Sequence, residues 1–224
     1  MPRDEYQERL TQLREDVLYM SEVVLERLQM GLDALQDKDE DLAWDVIEGD
    51  HEVNQLYLKL EQDCIDLIAL QQPVAGDLRF IAASFKIITD LERIADLATN
   101  LGDYTLDAEQ NLFPDVDVQS IGEEVVAMIE SSMEVYADED PKACYDIAEH
   151  DDEVDAMCEE ASATVTRDLI ERTDITAEDA VEQTMQDVTR LLLTIRDLER
   201  VGDHAVNIAA RTLYMVESDD DLLY

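Results

Sequence analysis

The chain has 224 residues, 57 acids against 16 bases, a formal net charge of −41, and only six Gly and four Pro. This length can bury a core, and the scarcity of turn formers favours a few long helices over a sheet with many turns. The charge gives phosphate contacts no basic patch, so direct nucleic-acid binding is excluded, and no apolar run approaches the length of a membrane span.

The first 36 residues read as one helix, with Leu10, Leu13, Val17, Met20, Val24, Leu28 and Leu35 at three- and four-residue steps. Asp37-Lys38-Asp39 breaks it. A second helix carries Leu42, Val46, Val53, Tyr57, Leu60, Cys64 and Leu67 up to Gln71-Gln72-Pro73, where proline forces a break. A third carries Leu78, Ile81, Phe85 and Ile88 and runs to about Asp107. Asn111-Leu112-Phe113-Pro114-Asp115 reads as a domain boundary. A fourth helix then covers Val118 to Tyr136, and a fifth starts with Asp140 as cap and Pro141 at its first position, running to about Glu171. Thr176-Ala177-Glu178-Asp179 resembles a capping box before a sixth helix that ends near Val216. This predicts domains at 1–110 and 115–217 and a frayed acidic tail at 218–224.

Cys64, Cys144 and Cys158 form no paired motif and read as small buried hydrophobes of a reducing compartment. The N-terminus lacks the apolar core of a signal peptide, so the expected location is the cytoplasm. Acids spread along the whole chain, interleaved with helical apolar stripes, point to a salt-rich cytoplasm and hence a halophilic host.

The chain repeats itself. Asp90-Leu91-Glu92-Arg93-Ile94-Ala95-Asp96-Leu97-Ala98-Thr99-Asn100 recurs as Asp197-Leu198-Glu199-Arg200-Val201-Gly202-Asp203-His204-Ala205-Val206-Asn207, keeping Asp, Leu, Glu, Arg, Asp, Ala and Asn at the same offsets. Glu48-Gly49-Asp50-His51-Glu52-Val53-Asn54 likewise matches the stretch from Glu149 to Asp155. The expected fold is therefore all-α, a tandem duplication of a three-helix bundle built from six long antiparallel helices.

Four polar pairs spaced i,i+4 continue the apolar stripes: Asp50 with Asn54, Glu92 with Asp96, Asp151 with Asp155, and Glu199 with Asp203. At about 100° per residue, Glu48 and Glu52 fall on the solvent side. If the second and third helices are antiparallel about Pro73, facing residue numbers sum to about 147; Asp50 with Asp96 and Asn54 with Glu92 both sum to 146. In the second half the corresponding pairs sum to 354, against the 349 expected from a turn at 173–176. Converging carboxylates repel unless a cation joins them, and all-oxygen ligands suit Mg, Mn, Fe or Ca, with Zn as a further alternative. The competing arrangement has Arg93 and Arg200 neutralising the acids as ion pairs. His204, about 100° off the acid stripe, reads as surface, with a ligand or supporting role as the alternative.

These residues resemble the PhoU family of phosphate-uptake regulators. The resemblance rests on Ile47-Glu48-Gly49-Asp50-x-x-Val53-Asn54, on Gln72-Pro73-x-Ala75-x-Asp77-Leu78-Arg79, and on Leu91-Glu92-Arg93-Ile94-x-Asp96. The second half repeats it with Asp151-x-x-Val154-Asp155 and with Leu198 through Asp203 and Asn207. The departures are Ala95, where the family often has Gly, and the lack of a Gln-Pro turn in the second half.

The resemblance implies clusters of divalent or trivalent metal ions on the bundle surface, iron foremost. The implied ligands are Asp50, Glu92 and Asp96 in one half and Asp151, Asp155, Glu199 and Asp203 in the other, with Asn54 where the family has an acid. It also implies a cytoplasmic homodimer, at most peripheral to the membrane, that works with the ATPase of a phosphate ABC transporter and a sensor or regulator protein and represses the phosphate-starvation response. An accessory role for a different phosphate carrier is the nearest alternative. No P-loop, nucleophile elbow or His-rich metal motif is present, so a metal-carboxylate enzyme is the less favoured class and no catalytic residue is assigned.

Overall fold

The computed structural model describes residues 3–71, 73–107, 116–171 and 178–223. Among these are six helices and no strand: α1 (Arg3–Asp37), α2 (Glu40–Gln71), α3 (Ala75–Leu106), α4 (Val118–Asp138), α5 (Ala143–Glu171) and α6 (Glu178–Glu217), followed by a 3-10 turn at Asp221–Leu223. The stripes explain the helices. Leu13, Val17, Met20, Val24 and Leu28 of α1 are buried, as are Val46, Val53, Leu60, Cys64 and Leu67 of α2. All three cysteines are buried free thiols, and burial pushes Cys64 and Cys158 up to about 12 and Cys144 to about 11. They pack as small apolar groups.

Local chemistry sets the helix ends. Asp39 accepts the Leu42 N–H at 3.0 Å at the start of α2, and Asp117 accepts the Ser120 N–H at 3.0 Å at the start of α4. Lys38 (φ 56°) and Glu139 (φ 55°) take the left-handed conformation that closes α1 and α4. The following residues donate back five positions, Asp39 N to Ala34 O and Asp140 N to Val135 O. The pair is itself a product of the duplication. It also corrects the start of α5. Asp140 uses its carboxylate on the Lys142 N–H at 2.9 Å, a local turn that occupies Pro141 and delays the helix to Ala143. In the tail, Leu222 packs against the core and Asp219 accepts the Asp221 N–H at 3.0 Å. The expected boundary at 111–115 and the turn at 172–177 lie outside the described residues.

α1, α2 and α3 pack on one another, as do α4, α5 and α6, and the halves join through α3 on α6 and α1 on α4. The two three-helix units share one continuous apolar core. At the α1–α4 crossing, a Cβ on Gly122 would lie 2.5 Å from Leu32 Cδ2, so a side chain there would force the buried Leu32 to repack. Tyr136 of α4 is fully buried, shares a hydrogen bond of 2.8 Å with Ser84 Oγ of α3, and stacks on Phe80 at 6.3 Å. α2 and α5 are left as the outer helix of each half, each paired with a central helix, α3 or α6.

Candidate metal centres and the seam between them

Each half brings its four marked residues together from an outer and a central helix. In the first half Asn54 Nδ2 donates to Asp50 Oδ2 at 2.6 Å, which presents the Asp50 carboxylate toward α3. Burial raises the Glu92 carboxyl above the usual range, and the charges of Asp96 and Asp50 raise it further while Arg93 lowers it. Asp96 is raised by burial and by Asp50. In the second half, burial followed by the charges of Asp155, Asp203, Asp152 and Glu199 pushes Asp151 up to about 6. Asp155 and Glu199 are also raised, first by burial, then chiefly by Asp203 and Asp155 respectively. Glu92, Asp96, Asp151, Asp155 and Glu199 thus each feel an acid from the other helix of the pair.

The uncertain register of the second half is resolved by other contacts at the same level. Cys158 Sγ lies 3.9 Å from Ile195 O, and a Cβ on Gly202 would lie 2.9 Å from Asp151 Oδ1. Both pairs sum to 353, so α5 and α6 run about two residues out of step with the midpoint between their ends. Glycine at 202 leaves room for the Asp151 carboxylate against the α6 backbone. That oxygen is buried and accepts no hydrogen bond.

The stripe reading placed these acids toward the interior or its edge, and the edge is where they lie. Asp50, Asn54, Glu92 and Asp151 are half-buried, whereas Asp96, Asp155, Glu199 and Asp203 are exposed. The cause is that the stripe itself surfaces. Phe85 and Leu192 are half-buried and Leu78 is exposed, since among the described residues no further helix covers the groove between an outer and a central helix.

Neither arginine closes an ion pair on the clusters. Among the described residues, no Lys, Arg or His nitrogen lies within 4.0 Å of a carboxylate of Asp50, Glu92, Asp96, Asp151, Asp155, Glu199 or Asp203. Arg200 pairs with Asp197 at 3.6 Å. An orphaned buried oxygen, mutually raised carboxyls and the lack of a closed ion pair fit a hard cation. The fit is open: among the described residues, only Asp219, Asp220 and Asp221 of the tail have three carboxylate oxygens within 4.8 Å of one another. That exposed triad has the composition of ordinary acidic surface. The grooves therefore suit ions that keep water or share carboxylates rather than a closed cage. Bound there, a cation would supply positive charge that the chain itself lacks.

Two acids of the repeat turn the other way. Asp90 and Asp197, two residues before the Glu of each repeat and so about 200° around the helix, are buried between α3 and α6. Asp90 Oδ1 lies 2.9 Å from His204 Nδ1. Asp197 Oδ2 accepts Tyr104 OH at 2.8 Å and Asn100 Nδ2 at 3.0 Å. Burial and the bond to Asp197 hold the Tyr104 hydroxyl up at about 12. His204 is thus a buried partner of the opposite half rather than a surface group. The signal for this seam was present in the sequence: an acid inside an apolar run, off the face of the other acids, with Asn at the same offset in both copies.

Comparison with known proteins accords with the duplication. The PhoU domain family matches residues 17–105 and again 118–212. The phosphate-specific transport system accessory protein PhoU homolog 1 of Methanothermobacter thermautotrophicus is 32% identical over 218 residues, covering 96% of this chain and 95% of that protein. The corresponding accessory protein PhoU of Escherichia coli is 30% identical over 213 residues, covering 94% of this chain and 85% of that one. The crystal structure of PhoU from Pseudomonas aeruginosa superposes with a TM-score of 0.87 at 28% identity, over 96% of this chain and all of that one. The fold of the Streptococcus pneumoniae phosphate transport regulatory protein PhoU agrees as well, with a TM-score of 0.86 over 96% of this chain and 98% of that one at 24% identity. With two matched stretches in tandem and more than nine-tenths of the chain shared with its relatives, the protein belongs to the PhoU domain family.

Proposed function

We propose that this chain is a regulatory adaptor of phosphate uptake whose two grooves hold metal ions, and that it restrains the phosphate transporter when phosphate is plentiful. The relatives are named as accessory proteins of the phosphate-specific transport system, which supports the pathway. The observation that carries the metal reading is the second-half cluster: four acids on which no ion pair closes within 4.0 Å among the described residues, one with a buried oxygen that accepts nothing. Iron is the foremost occupant, with Zn, Mn or Mg as alternatives, since an all-oxygen donor set accepts any of them. The partners in this reading are the ATPase of a phosphate ABC transporter and a sensor or regulator protein, met in the cytoplasm by a homodimer. Among the described residues no helix is long and apolar enough to cross a membrane.

Phosphate uptake in cells that rely on this chain tests the reading. Deletion is expected to raise uptake in phosphate-rich medium. The parent chain is expected to restore restraint, while a chain with Glu92, Asp96, Glu199 and Asp203 changed to Gln or Asn does not. Unchanged uptake on deletion would count against the regulatory role, and full restraint by the neutralised chain against the role of the metal.

A further inference from the structure

The duplicated arginines have the same choice of partner in each half. Arg200 sits three residues after Asp197 and three before Asp203, and Arg93 sits three after Asp90 and three before Asp96. Helical spacing makes both acids reachable from either arginine. In the second half the choice is made by Asp197, which is 5% exposed and fixed from the opposite half by Tyr104 and Asn100 on Oδ2. Its other oxygen, Oδ1, is left to face Arg200 Nη1 at 3.6 Å. In the first half the equivalent Asp90 Oδ1 is engaged by His204, and Arg93 closes no ion pair among the described residues.

We propose that Asp197 is a positioning residue for the second-half metal centre: it draws Arg200 toward the seam between the halves, so that Arg200 does not pair with Glu199 and Asp203 and leaves them open to a cation. In the first half the equivalent oxygen, Asp90 Oδ1, meets His204, and no Asp90–Arg93 ion pair closes there. The inference rests on the metal reading of the grooves. It makes α3, through Tyr104 and Asn100, a determinant of cation affinity at a centre to which it contributes no ligand.

The test uses the full chain with the first-half cluster neutralised (Asp50→Asn, Glu92→Gln, Asp96→Asn), freed of metal by chelator and titrated calorimetrically with Mn2+. Asp197→Asn keeps an oxygen for Tyr104 but releases Arg200, and is expected to weaken Mn2+ binding roughly three- to tenfold, the effect of one added positive charge near a surface cation. Adding Arg200→Gln to that variant is expected to restore affinity to within about twofold of the starting chain. Arg200→Gln alone is expected to leave affinity unchanged, an outcome that does not depend on how well the Asp197 variant folds. Loss on Asp197→Asn without rescue would mean a structural role only, and would overturn the proposal. So would a clear gain on Arg200→Gln alone, which would show that Arg200 already screens the cluster. No Mn2+ binding by the parent chain, with both clusters intact, would overturn the metal reading itself and this inference with it, a result distinct from binding that ignores Arg200.

Discussion

Raising KCl from about 0.1 M to about 2 M is expected to lift the thermal midpoint by on the order of 10–20 °C, because the screening length falls from about 10 Å to below 3 Å. The chain carries −41 charges, and its acids outnumber its bases by 57 to 16. Few of them are offset locally, and several of the ion pairs found, such as Lys59 with Asp16 at 2.7 Å and Arg27 with Glu52 at 3.0 Å, lie at exposed or half-exposed sites. Such pairs add little to stability, so repulsion among the remaining acids dominates the electrostatics of the folded state. Differential scanning calorimetry across the salt series checks this. A midpoint that stays level or falls would show that the surface charge is compensated in a way the ion pairs do not reveal.

Replacing Asp151 with Asn is expected to act in opposite directions on stability and on binding. The Asp151 carboxyl is pushed up to about 6 from 3.8, first by burial and then by Asp155 and Asp203. A carboxyl raised on folding contributes stability that is fully present below its unfolded value and is lost as pH rises through its folded value. The window is therefore about pH 4 to 6, and above it the metal-free protein carries the whole penalty. The shift corresponds to at most about 3 kcal/mol, and solvent screening at this half-exposed groove reduces it to about 1–2 kcal/mol. Asp151→Asn should accordingly stabilise the chelator-treated protein at pH 7.5 by about 1–2 kcal/mol in urea denaturation, with the gain fading below pH 4. The same change should weaken cation binding in the second half by about tenfold or more, since one charged ligand is gone. Destabilisation of the metal-free protein at pH 7.5 would contradict the account, because it would mean that the carboxylate is satisfied rather than strained. The trade is the expected one for a site kept unfavourable in order to bind.

The helices and the pairing of the acids were legible in the sequence because both follow from period. Stripes at three- and four-residue steps placed most helix ends within two residues, and the sum rule paired Asp50 with Asp96, whose carboxyl is raised by the Asp50 charge after burial. What escaped depended on three-dimensional contacts that period does not encode. The second-half register could not be taken from the helix ends, because α5 and α6 are pinned by Cys158 against Ile195 and by Asp151 against Gly202, not by their turn. The start of α5 was misplaced because Asp140 spends its carboxylate on Lys142. The repeat was read as one wall of a metal site, but Asp197 and His204 belong to its opposite face and fasten the halves together. The same eleven residues therefore serve two surfaces, with Glu199 and Asp203 in the groove and Asp197 and His204 in the seam.

The most direct test of the central claim is the metal content of the protein purified without added chelator, measured by elemental analysis beside a Glu199→Ala, Asp203→Ala variant. The account predicts at least one transition-metal or magnesium ion per chain in the parent and a clear loss in the variant. Metal at background in the parent, or equal content in both, would contradict it.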